Sequence, residues 1–284
     1  MSVNTPPTQG SSAAVMAELT FLGTGTSMGV PTLGCPCAVC HSADPHNNRM
    51  RASIALRFNE RTVLIDTGQD FRTQALRAGI DHVDAVLYTH GHADHILGFD
   101  DLRPLTFGKP DRLPLYADDP TADTIERIFD YTFKTRDRYP TSARVDLRRL
   151  SSEPGTSLEL FGACFERIPV IHGRNIIAGY RFGRAAYLTD MSDLPEASFD
   201  RLRDLDVVVL DALRREPHPS HSHLDHSVAI AARIGAKSTY FTHISHDLDH
   251  AMTEKNLPPG VHMAYDGLQL EFPIVGSTPT GAAA

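Results

Sequence analysis

The sequence has no apolar run long enough to span a membrane, which excludes a transmembrane helix. Its first residues lack a basic stretch followed by an apolar core, so no secretory signal is expected and the default location is cytoplasmic. Positive charge is in deficit: 27 Lys and Arg against 35 Asp and Glu leave a net charge of −8. General nucleic-acid binding needs a basic face and is therefore disfavoured. A small anionic substrate is not excluded, because bound metal ions would reverse the sign locally. Cysteine is scarce, and three of the four are packed into Cys35-Pro36-Cys37-Ala38-Val39-Cys40. In a chain without a signal, such clustering points to a metal rather than a disulfide framework. No internal repeat of fixed period is present.

What is there is histidine in a dense pattern. Thr89-His90-Gly91-His92-Ala93-Asp94-His95 follows the apolar run Ala85-Val86-Leu87-Tyr88, which reads as a buried strand. In a still-extended chain His90 and His92 alternate, so both imidazoles face one side. Gly91 and Ala93 keep bulk away from the turn, and Asp94 and His95 project to a second point nearby. The cluster suits two adjacent divalent metals, about 3.5–4 Å apart in two-metal hydrolases.

The same logic recurs along the chain. Val63-Leu64-Ile65 stops at Asp66, the run from Ile168 at His172, that from Ala186 at Asp190, Val207 to Leu210 at Asp211, and Thr239 to Thr242 at His243. Apolar runs that repeatedly end in His or Asp line those side chains along one sheet edge. A hydrophobic content of 41% with 22% charged residues fits one soluble α/β domain. The expected organisation is a disordered tail over 1–17, a hydrolase domain over 18–275 with an inserted flap near 110–149, and a frayed tail over 276–284. Within it, Ile54–Phe58 and Thr62–Ile65 predict a hairpin around Asn59-Glu60. Helices are expected over 71–78, over 121–131 with Ile125 and Ile128 inward, and over 225–234 ahead of Gly235. Gly23-Thr24-Gly25-Thr26-Ser27 lacks the Gly-Lys-Ser of a phosphate loop and reads as a tight turn beside the site. Lys134, Arg136 and Arg138 make 131–140 the basic part of an acidic chain, either a solvated connection or a flap for an anionic substrate. Cys164 is expected in the core, and His41 and His46 in solvated loop.

The H-x-H-x-D-H pattern of His90 to His95 resembles the metallo-β-lactamase-fold hydrolases, over about Phe21 to Leu270. The resemblance implies an αββα sandwich. It implies that His90, His92 and His172 hold a first metal, that Asp94, His95 and His243 hold a second, and that Asp190 bridges them. Asp66 and Asp211 then orient imidazoles by accepting their free N–H groups. The cysteine cluster, the Gly23–Ser27 turn and Thr242-His243-Ile244-Ser245-His246 are most similar to the phosphoribosyl 1,2-cyclic phosphate phosphodiesterases of this superfamily. That resemblance implies a structural zinc on Cys35, Cys37, Cys40 and His246. It also implies that His221 faces the substrate without binding metal.

The function implied is hydrolysis of a phosphodiester, a small cyclic phosphate, by two divalent metals, zinc or manganese, with Asp94 and His221 as catalytic groups. Other activities of the fold stand beside it: tRNA 3′-processing nuclease, and thioester or lactone hydrolase. A metal-stabilised binding protein without turnover is the alternative of another class. The partner expected is a small anionic phosphodiester substrate, with no membrane and no general nucleic-acid binding; a homodimer is a possible assembly.

Overall fold

The computed structural model describes residues 15–136 and 139–274. Six strands come first: β1 (Val15–Gly23), β2 (Ser53–Phe58), β3 (Arg61–Ile65), β4 (Ala85–Leu87), β5 (Leu113–Asp118) and β6 (Val145–Leu150). Seven follow in a second sheet: β7 (Ser157–Leu160), β8 (Ala163–His172), β9 (Asn175–Phe182), β10 (Ala185–Leu188), β11 (Val207–Asp211), β12 (Ser238–Thr242) and β13 (Val261–Met263). The last strand, β14 (Gln269–Ile274), returns to pair with β1 at the edge of the first sheet. The sheet orders are β14-β1-β2-β3-β4-β5-β6 and β13-β12-β11-β10-β9-β8-β7.

The apolar runs explain the layering. Strands β3 to β6 pair in parallel, as do β10 to β13, and parallel strands are covered on both faces. Alternate residues of one run therefore enter different cores. Val63 and Ile65, Ala85 and Leu87, and Val207 and Val209 meet between the sheets, with Phe165, Tyr180, Phe182 and Tyr187. Leu64 and Val86 face outward onto α1 (Phe71–Arg77), α2 (Ala93–Ile96), α3 (Arg103–Thr106), α4 (Asp119–Ile128) and α5 (Asp130–Phe133). Val208 and Leu210 face the layer of α6 (Glu196–Arg201), α7 (Leu224–Ile234) and α8 (His250–Glu254). The result is the αββα sandwich. No helix among the described residues is long and apolar enough to cross a membrane.

Several expectations change. Residues 15–17 of the expected tail belong to β1, where Val15 pairs with Ile274 and Ala17 with Phe272; residues 1–14 and the tail over 276–284 lie outside the described residues. The helix expected over 121–131 breaks at Phe129, which takes the core place against Phe99 with ring centroids 4.5 Å apart. Ile128 is consequently 42% exposed rather than inward. The 110–149 segment supplies β5, α4, α5 and β6, so much of it is sheet and packed helix. Within its basic stretch, Tyr131 Oη donates to Asp100 (2.6 Å), and Lys134 pairs with Asp130 at 2.9 Å. Arg138 lies outside the described residues. Cys164 is half-buried rather than core, because it falls on the outward phase of β8, across from Glu159.

Candidate metal centre

Strands β3, β4, β8, β10, β11 and β12 end on one rim of the sandwich. Three of the residues at these ends, Asp66, Asp190 and His243, have positive φ of 66°, 57° and 57°. A left-handed backbone at a non-glycine residue is uncommon and costs on the order of 1–3 kcal/mol where the surroundings enforce it. Here it turns the chain sharply just past the strand end, at residues of the candidate site. Two bonds across the seam align the halves: Tyr180 Oη donates to the Tyr88 carbonyl (2.8 Å), and Ala178 N to the Thr89 carbonyl (3.0 Å).

The ligand atoms of His90, His92 and His172 lie within 4.8 Å of one another, as do those of Asp94, His95, Asp190 and His243. His90 Nε2 is 2.9 Å from His92 Nδ1. In the second group His95 Nε2 is 3.2 Å from Asp94 Oδ2 and 3.2 Å from Asp190 Oδ2. His243 Nε2 is 3.2 Å from Asp190 Oδ1 and 3.6 Å from Asp94 Oδ2. These match the edges of a tetrahedron with metal–ligand bonds of about 2.0–2.1 Å, roughly 3.3 Å. Despite the short separations, His95 Nε2 and His243 Nε2 are buried with no hydrogen-bond partner. Nitrogens aimed at carboxylates without hydrogen-bond geometry are what a shared cation would satisfy. Asp190 Oδ1 also lies 3.9 Å from His90 Nε2, so this carboxylate reaches both groups.

Outer partners set the tautomers. Asp66 accepts from Thr89 N, Thr89 Oγ1 and His95 Nδ1, each at 2.8 Å. The Ser220 carbonyl accepts from His172 Nδ1 at 2.8 Å. Both arrangements leave Nε2 with its lone pair inward. Asp211 divides its service: Oδ2 is 2.8 Å from His221 Nδ1 but 3.6 Å from His243 Nδ1. His221 stacks on His243, with centroids 4.6 Å apart at 13°, and meets His172 edge-on at 4.8 Å.

The electrostatics follow from burying many charges together. Burial alone would neutralise Asp190, but the His243 and His95 cations hold its carboxyl well below the usual range. Burial pulls His243 down, and Asp190, Asp94 and Asp211 outweigh it, pushing the imidazole up to about 9. Burial and the His243 cation push His221 down to about 4. Burial also raises Asp66 and Asp211. The acidic partners thus stand ready for cations, and metal uptake releases the imidazole protons.

A second cluster lies beside the first. Cys35, Cys37 and Cys40 Sγ are 3.1, 3.6 and 3.4 Å from His246 Nδ1, near the roughly 3.5 Å expected between S and N on one zinc. The Cys40 N–H, against the effect of burial, helps push the Cys37 thiol down to about 6. Arg49 anchors the site from beneath: fully buried, it donates to the carbonyls of His46, Ser245 and Leu248 and to Asn47 Oδ1. His46 keeps 40% of its side chain exposed, while its ring lies 4.6 Å from His250 and 4.3 Å from Tyr265. Cys37→Ser is expected to remove one metal per chain, leave the paired site filled and lower Tm by roughly 5–10 °C. Metal analysis with a thermal melt checks this; an unchanged metal count would deny the cluster its ion.

A pocket of about 340 Å³ opens beside the first histidine group, walled by Asp118, Pro120, Thr121, Thr124 and Asn175 to Ile177. The sequence reading missed these walls, the Arg49 anchor and the Ser220 carbonyl. The glycine at position 91 was the one hint, since a Cβ there would press on Thr124 at 3.2 Å.

Residues 61–244 match the model of the beta-lactamase superfamily domain. The chain is 54% identical to the protein in "Crystal Structure of a New Diphosphatase from the PhnP Family", covering 92% of this chain and 98% of that one at a TM-score of 0.86. Zn²⁺-bound PqqB from Methylobacterium extorquens shares the fold, at 21% identity and a TM-score of 0.69 over 89% of this chain and 99% of that one. Among curated relatives, an octanoyltransferase of Porphyromonas gingivalis is 37% identical over 252 residues, 88% of this chain and 50% of the relative. A ribonuclease Z of Methanococcus maripaludis is 25% identical over 70% of this chain and 56% of the relative. The chain spans about half the length of these curated relatives.

Proposed function

The chain belongs to the beta-lactamase superfamily, and on that premise we propose that it is a dinuclear metal-dependent phosphodiesterase of a small cyclic phosphate. Support comes above all from the placement of the His221 imidazole, held by Asp211 at 2.8 Å and stacked on His243, a group this reading leaves free of metal. A metal site built only for structure has no use for it. When bound, two divalent ions supply a nucleophile from water near neutral pH and screen the phosphoryl oxygens; zinc or manganese fits the His and Asp donors, and zinc the Cys₃His set.

The protein's own residues do the rest. Asp94 turns Oδ2 toward His95 and His243, leaving its other oxygen to accept a hydrogen bond from the attacking water. His221 Nδ1 is fixed by Asp211, so Nε2 is the atom that meets substrate. A phosphate anion arriving there counters the burial that depresses this imidazole, and Nε2 can carry a proton to the leaving oxygen. The 340 Å³ pocket suits a small substituent rather than a polymer. Acyl transfer, named for the octanoyltransferase, rests on a relative of which this chain spans half.

An activity screen across cyclic phosphates, linear phosphodiesters, lactones and thioesters, with metal content measured on the same sample, tests the reading. Turnover should concentrate on phosphodiesters. A metal-replete protein that cleaves only lactones or thioesters would overturn it.

A further inference from the structure

Strands β3 to β6 run in one direction, so the rim on which they begin lies opposite the candidate metal centre. A cavity of about 460 Å³ opens on that rim. Arg61 at the start of β3, Asp84 just before β4, Leu113 at the start of β5 and Phe161 in the turn between β7 and β8 all line it. Arg61, Lys109, Arg112 and Arg148 bring four cations to its walls, against the carboxylates of Asp84 and Asp111. The excess is positive, in a chain whose net charge is −8.

These charges are unevenly paired. Arg61 meets Asp84 at 2.9 Å, and Asp84 also accepts from Thr62 N at 2.9 Å. Arg148 meets Asp146 at 2.7 Å and donates to Tyr116 Oη at 2.9 Å. Lys109 and Arg112 are exposed and have no ion pair among the described residues; Arg112 donates only to the Val145 carbonyl, at 3.2 Å. Asp111 stands between them in sequence and pairs with neither. Their loop is nevertheless pinned. Arg144 donates to the carbonyls of Lys109 and Pro110, and its backbone N–H donates to Thr106 Oγ1 at 3.1 Å. Two cations without counter-ions are thus carried to the cavity on a held backbone, which suits a phosphate.

Another part of the wall is aromatic. Arg61 Cζ sits 5.1 Å from the centroid of the Phe161 ring. The Phe161 carbonyl accepts from Asn59 Nδ2 at 3.1 Å, tying the β2–β3 turn to the β7–β8 turn. Arg61 is half-exposed, and a guanidinium stacks on planar rings as well as pairing with carboxylates.

We propose that this cavity is a second ligand site, remote from the metals, for a small phosphomonoester that bears a planar ring. Lys109 and Arg112 receive the phosphate, and Arg61 with Phe161 receives the ring.

Amide hydrogen exchange on the metal-loaded protein tests this, with adenosine 5′-monophosphate and inorganic phosphate as probes, because it separates this rim from the metal rim. Adenosine 5′-monophosphate should protect residues 106–114 and 161, and the midpoint of that protection reads the local affinity. Inorganic phosphate should bind there at least about fivefold more weakly, for want of a ring, and added salt should weaken both. Replacing Lys109 and Arg112 together by alanine should raise the midpoint roughly tenfold or more, while Arg112→Lys alone retains part of the affinity. An unchanged Tm shows that the double variant is folded. Protection confined to the metal rim, a midpoint that the double variant leaves unchanged, or inorganic phosphate binding as tightly as the nucleotide would each overturn the proposal.

Discussion

Replacing His221 by alanine is expected to lower kcat by roughly 10²-fold or more while metal content, fold and substrate affinity at the metals stay close to wild type. The expectation follows from division of labour around Asp211. That carboxylate is at hydrogen-bonding distance from His221 and not from His243, so losing the His221 ring leaves the His243 Nε2 and Asp190 pairing at 3.2 Å in place. The loss should shrink for esters with good leaving groups such as p-nitrophenol, which depart without a proton. A series of phosphodiesters of graded leaving-group pKa, assayed with metal analysis, makes the measurement. If a metal leaves with the ring, His221 is a ligand, as its closeness to His172 and Asp190 would allow. An unchanged kcat on alkyl esters would remove it from the chemistry altogether.

Asp190→Ala should be harsher, abolishing turnover by roughly 10³-fold or more, about 4 kcal/mol of barrier. Asp190 is 1% exposed, and its two oxygens lie within 3.2–3.9 Å of nitrogens in both ligand groups. Without it the paired site should lose at least one ion while the thiolate cluster keeps its own. A pH signature accompanies the loss. In the metal-free protein Asp190 leads the charges that push His243 up to about 9. A proton there competes with the metal, as does one on His95, which Asp190, Asp94 and Asp66 hold well above the usual imidazole range, so wild-type affinity should climb with pH through and beyond neutrality before it flattens. In Asp190→Ala the plateau should begin at lower pH, because the imidazole gives up its proton more readily. Competition with a chromogenic chelator across pH reads both; two ions retained at full affinity would end the bridging assignment.

Much of this was legible from residue order because the chemistry sits at strand ends. A parallel strand buried on both faces is a continuous apolar run, so the residue after which it stops is conspicuous; Asp66, His90, Asp190, Asp211 and His243 follow such runs, and His172 closes the antiparallel strand β8. The backbone at those ends was not legible. Aspartate and histidine visit the left-handed region more readily than most residues, but nothing in composition announces that Asp66, Asp190 and His243 do so here; tertiary contacts select it. Helix periodicity failed at Ile128 for a related reason: Phe129 leaves the helix to reach Phe99, and a local pattern carries no trace of that distant ring. Arg49 was invisible for another cause. Two of its four partners are backbone carbonyls about 200 residues away, and carbonyls are present at every position.

The two bonds across the seam, from Tyr180 to the Tyr88 carbonyl and from Ala178 to the Thr89 carbonyl, have a mechanical meaning. Asp66, His90, His92, Asp94 and His95 follow strands of one sheet, and His172, Asp190, Asp211 and His243 end strands of the other. The gap between the two ligand halves is therefore the gap between two plates, and the aromatic layer of Phe165, Tyr180, Phe182 and Tyr187 is the spacer that sets it. Close-packed interiors transmit strain rather than absorb it. A methylene removed from that spacer, remote from any ligand, would thus act on the site as a change of calibre, retuning which ions and which bond lengths the jaws accept.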